Sequence, residues 1–157
     1  MNKERMLQLA DFLENLPEEK FNMETWAYSS SGKTGEFVDP NNCNTTCCIA
    51  GWTVALFNDF NPIIPNSKRM YEDSIAKEAT RLLDLHREQA VDLFFANPDS
   101  YWGYYEKELS ITLNECDDLY EINNKQAAYV IRDIANGNLY AFNNKYSFVS
   151  DEDWDCI

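Results

Sequence analysis

The segment Cys47 to Phe57, reading Cys-Cys-Ile-Ala-Gly-Trp-Thr-Val-Ala-Leu-Phe, is the strongest single constraint on how this chain folds. A helix that is apolar around its whole circumference is stable only at the centre of a core, where other elements cover every face. A short apolar run is also compatible with a buried parallel strand, but this length and the presence of Ala and Gly favour a helix. Thr45 or Thr46 is its expected N-cap, because a hydroxyl accepts from the unpaired amides of the first turn. Gly51, in mid-segment, marks close packing against a neighbour.

The rest of the chain must supply the cover. From Met1 to Leu16, apolar residues fall at Met6, Leu9, Ala10, Phe12, Leu13 and Leu16, the stripe of an amphipathic helix, and Pro17 then interrupts it. Phe21, Met23 and Trp26 predict a turn that tucks aromatic and apolar side chains onto the core. Ser29 to Asn44 is rich in Ser, Gly, Asn, Asp and Pro, which is loop composition. Asn58 to Asn66, with Pro62 and Pro65, reads the same way. Ile75, Ala79, Leu82 and Leu83 keep helical spacing over Ser74 to Leu83, and after Leu85 a short helix carries Ala90, Val91, Leu93, Phe94 and Phe95, a helix–corner–helix unit ended by Asn97-Pro98. Asp99 to Ile122, aromatic early and acidic late, gives no readable period. Asn123 or Asn124 caps a last helix through Ala127, Ala128, Val130, Ile131, Ile134 and Ala135, with Gly137 as its left-handed C-cap. Leu139 to Phe142 and Lys145 to Val149 flank Asn143-Asn144, a pattern that suits a small C-terminal β-hairpin with a type I′ turn. The expected fold is mainly α, one compact domain over residues 1–157 built as a bundle of about five helices, with residues 150–157 as an acidic tail.

Charge narrows the partners. Thirteen Lys and Arg against 27 Asp and Glu give a net charge of −14, so the summed field repels nucleic acid phosphates and anionic lipid and favours basic protein surfaces or cations. An acidic surface also serves solubility alone. At 45% hydrophobic and 14% aromatic, the chain is too apolar to remain disordered. No run approaches the roughly 18 apolar residues of a membrane helix, and Met1 to Leu16 mixes charged with apolar residues rather than showing the basic n-region and apolar h-region of a secretory leader. A cytoplasmic location is expected. The five cysteines, Cys43, Cys47, Cys48, Cys116 and Cys156, are an odd number and point to free thiols in a reducing compartment.

Few residue groupings offer chemistry. Ala27 to Thr34 (Ala-Tyr-Ser-Ser-Ser-Gly-Lys-Thr) satisfies the loose form of a phosphate-binding loop, but neither the strand before nor the helix after is expected, and the segment reads as a surface loop. Cys43, Cys47 and Cys48 lie at the mouth of the central helix, where unpaired amides and the helix dipole lower a thiol's pKa. Cys43 or Cys48 is therefore the weak candidate for a nucleophile. The single histidine, His86, is its only imidazole base, placed as N-cap or first-turn residue of the second short helix. The competing reading packs Cys47 or Cys48 as a small apolar core residue. Cys43, Cys47 or Cys48, Cys116 and Cys156 could ligate zinc or, for Cys43 with Cys48, form a disulfide, but the paired knuckles of a zinc site are missing, and no metal or cofactor is expected. Asp117, Asp118, Glu121 and the tail Asp151, Glu152, Asp153 and Asp155 do not make a calcium-loop pattern and read as a solvated acidic face. The cluster Tyr101, Trp102, Tyr104 and Tyr105, in an irregular segment, is the candidate contact surface for a partner.

Phe21-Asn22-Met23-Glu24-Thr25-Trp26, followed by Cys43-Asn44-Thr45-Thr46-Cys47-Cys48-Ile49-Ala50-Gly51-Trp52, resembles a group of small uncharacterised proteins of phages and bacteria. In that group an F-x-M-x-x-W segment precedes C-G-T-x-x-C-x-A-G, a helical corner follows, and a later helix ends in Gly. Ala79 to Phe95 and Gln126 to Gly137 match the later parts, so the resemblance spans residues 1–138. Asn44 stands where the pattern has Gly, and Trp52 where it often has His, so any metal or acid–base role of that His is lost here. The resemblance implies a fold and a phage or bacterial setting, and no activity.

Two functions follow as expectations. The first is a non-enzymatic interaction domain that binds a basic host protein through an acidic and aromatic surface, in one form by mimicking the charge of nucleic acid. The second is a cysteine-dependent enzyme using the helix-terminal thiol with His86.

Overall fold

The computed structural model describes residues 1–25, 28–29, 45–58, 68–95, 101–110 and 122–137. Among them run six α-helices: α1 (Lys3–Glu14), α2 (Ile49–Phe57), α3 (Lys68–Leu83), α4 (Arg87–Phe95), α5 (Tyr101–Leu109) and α6 (Asn124–Ala135). A 3-10 turn covers Glu18–Lys20, and two short strands, β1 (Tyr28–Ser29) and β2 (Thr45–Thr46), pair antiparallel with Tyr28 opposite Thr46. The mainly α, compact helical packing is the expected one. The C-terminal hairpin at 139–149 and the acidic tail at 150–157 lie outside the described residues.

α2 occupies the centre, as its composition demands. Ile49 through Ala55 are all buried, including Trp52 and the hydroxyl-bearing Thr53, whose Oγ1 donates to the Ile49 carbonyl at 2.7 Å. That bond is how a polar side chain inside an apolar helix is satisfied. The chief cover on α2 is α3, whose Ile75, Ala79, Leu82 and Leu83 are buried, while α1 packs most extensively on α6. The α1 stripe of Met6, Leu9, Ala10 and Leu13 is fully buried, as are Ala127, Val130, Ile131 and Ile134 of α6.

The start of α2 departs from the expectation. Neither Thr45 nor Thr46 caps the helix; both are in β2, and the N-cap is Cys48, with an extended backbone. The reason lies in the turn before it. Cys47 donates its amide to the Lys20 carbonyl at 3.1 Å, Asn22 donates to the Cys47 carbonyl at 3.2 Å, and Cys48 donates to the Thr25 carbonyl at 2.6 Å. These bonds to residues 20–25 use the backbone groups that a helix begun at Thr45 or Thr46 would need, and hold the chain extended until Ile49.

The α3–α4 corner is a Schellman motif. Asp84, with φ of 51°, takes the left-handed position, its amide donating to the Arg81 carbonyl at 3.3 Å while the Leu85 amide donates to the Thr80 carbonyl at 3.0 Å. α3 also begins at Lys68, earlier than the Ser74 start that the spacing predicts. The unreadable stretch from Asp99 contains α5. Trp102, Tyr105 and Leu109 do form a helical stripe, the first two buried and the third partly so, but Gly103 and the extra aromatics Tyr101 and Tyr104 hide the period.

α6 begins and ends as the sequence predicts. Asn123 is the N-cap, its side chain accepting from the Lys125 and Gln126 amides, and the Gln126 side chain completes a capping box. Gly137, with φ of 78°, follows the Asn136 C-cap in the left-handed conformation that glycine adopts at low cost.

Candidate functional site

The mouth of α2 is the first place where chemistry is conceivable, and its geometry is that of a core. Cys47 and Cys48 are 0% and 1% exposed. Burial pushes the Cys48 thiol up from its ordinary value to about 11, outweighing the Gly51 and Ala50 amides that pull the other way. A reactive thiol needs the opposite shift and a path to solvent. His86, by contrast, is exposed and sits at the N-cap of α4, where its carbonyl accepts from the Ala90 amide at 3.0 Å and its amide donates to Gln89 Oε1 at 2.9 Å. Its location is the expected one, and it serves the backbone there. Cys43 lies outside the described residues.

The turn at residues 17–25 is what seals this mouth. The Lys20 carbonyl accepts from the Cys47 amide and, at 3.0 Å, from the indole N–H of Trp52. Phe12 stacks obliquely on the same indole with ring centroids 5.4 Å apart. An indole only donates, so it can fasten the turn to α2 but can neither ligate a metal nor exchange a proton there.

The second place is the face shared by α5 and α6. Of the four aromatic residues expected to meet a partner, Trp102 and Tyr105 are 0% and 1% exposed and belong to the core. The Trp102 indole donates to the Leu93 carbonyl of α4 at 3.4 Å. The Tyr105 hydroxyl donates to the Asp133 carboxylate, and burial followed by this carboxylate raises the phenol's pKa. The side chains of Tyr101 and Tyr104 lie outside the described residues. Among the described residues, the aromatic that reaches solvent on this face is Tyr129, 42% exposed, which the run of aromatics does not point to. Its ring meets Tyr105 edge-on at 6.1 Å and its hydroxyl donates to Glu108 at 2.7 Å, which raises its pKa. A signal for it exists in the sequence: Tyr129 lies on the polar side of α6, between Gln126 and Arg132.

Acidic side chains dominate the exposed positions around α1. Glu4, Asp11 and Glu14 on that helix, Glu18 and Glu19 on the 3-10 turn and Glu24 beyond it are all exposed. Arg132 of α6 bridges Asp11 and Glu14, each at 2.8 Å. Among the described residues no cation pairs with Glu4, Glu18, Glu19 or Glu24.

Among the described residues no group of three or more His, Cys, Asp or Glu is placed to hold a metal ion. Cys116 and Cys156 lie outside them, as do the acids from Asp117 to Glu121 and the tail. Of the segment resembling a phosphate-binding loop, Tyr28 and Ser29 are described, and they pair with β2. No helix among the described residues is long and apolar enough to cross a membrane. No protein-family model, curated protein or solved structure matches this chain.

Proposed function

We propose that this domain is a non-enzymatic interaction module that binds a protein with a basic surface. The observation that supports the reading is the placement of charge. A net −14 is carried on a compact helical scaffold, and Glu4, Glu18, Glu19 and Glu24 face solvent without a cation among the described residues. Such a surface accelerates encounter with a basic partner and loses that advantage as salt screens it. One form of the proposal is a competitor for a groove that otherwise holds nucleic acid phosphates, in the phage or bacterial setting that the resemblance implies. The cysteine-enzyme reading has no support at Cys47 or Cys48, whose thiols are buried and, for Cys48, held protonated.

The test compares the wild-type protein with a Glu18→Lys, Glu19→Lys, Glu24→Lys variant in affinity capture from a bacterial lysate at low and high salt, with circular dichroism confirming that both are folded. A basic protein retained by wild type at low salt, released at high salt and missed by the variant is the expected result. Equal capture by both proteins at either salt, or no specific partner, sinks the proposal.

A further inference from the structure

No further inference is drawn: the strongest candidate, the surface patch on α5 and α6 where the exposed Tyr129 ring is held by Glu108, carries nothing because nothing in the structure shows what covers it.

Discussion

Asn124 shows how much one buried amide can fasten. Only 2% exposed, it is the first residue of α6, yet its Nδ2 donates to the Leu13 and Leu16 carbonyls at 2.8 and 2.6 Å, closing the C-terminal end of α1 more than a hundred residues away. The Leu13 carbonyl also accepts from the Leu16 amide at 3.1 Å, so Asn124→Ala leaves mainly the Leu16 carbonyl with a desolvation cost and should lower unfolding stability by about 1 kcal/mol in urea titrations. A loss below about 0.5 kcal/mol would show that this carbonyl finds water instead. Cys48 offers a second test. Its folded pKa, about 11, lies above the ordinary value of 9.0, so folding favours the protonated thiol. That contribution is complete below pH 9 and is lost as pH rises towards 11. Tyr105, with its pKa also raised, adds to the alkaline loss. Unfolding midpoints should therefore fall between about pH 9 and about pH 11, and Cys48→Ala should flatten the early part of that fall. An unchanged slope in the variant would remove Cys48 from the explanation.

At the scale of elements, the α3–α4 corner isolates a backbone effect. Asp84 holds a left-handed conformation that costs a non-glycine residue about 1 kcal/mol. Its carboxylate pairs with the Met1 ammonium at 3.1 Å, but the side chain is 80% exposed and such a pair contributes little. Asp84→Gly should accordingly raise stability, by about 0.5 kcal/mol, whereas Asp84→Val should lower it by more than roughly 1 kcal/mol. Thermal melts of the two variants at neutral pH decide this, and the same sign for both would mean that the side-chain pair or the corner's packing outweighs the backbone preference. α6 and α2 make an instructive contrast in legibility. Every device that starts and stops α6 is within a few residues of it: the Asn123 cap, Gln126 in the capping box and Gly137 at the end. The start of α2 is not legible locally, because the bonds that delay it come from Lys20, Asn22 and Thr25, a segment remote in sequence whose pairing no nearby pattern announces.

For the whole molecule, charge is the largest influence left over after the core is packed. A net −14 on 157 residues implies self-repulsion in the native state, which salt screens. Raising sodium chloride from about 20 to about 300 mM, a range over which the Debye length falls from roughly 20 to roughly 6 Å, should raise the melting temperature by several degrees. A drop instead would show that the Arg132 bridge to Asp11 and Glu14 and the Glu78–Arg81 pair matter more than the overall repulsion. The candidate site is less legible than the fold. Tyr101, Trp102, Tyr104 and Tyr105 stand out as a run of aromatics, but a run cannot tell which members point inward. Trp102 and Tyr105 are one helical turn apart and both enter the core, and among the described residues the aromatic at the surface of this face is Tyr129, on the polar side of α6.

What the sequence determined by itself was whatever depends on periodicity and local capping: a buried central helix from an all-apolar run, amphipathic α1 and α6 from their stripes, a corner after Leu83, and the strongly acidic character of the chain. Tertiary structure alone decided where α2 begins, that α5 is a helix with Trp102 and Tyr105 inside, that Asn124 closes α1, and that the thiols at the α2 mouth are sealed by the turn over residues 17–25. The division is physical. Spacing and caps act between residues a few positions apart, whereas burial, and the pKa it shifts, depend on which distant segments arrive to exclude water.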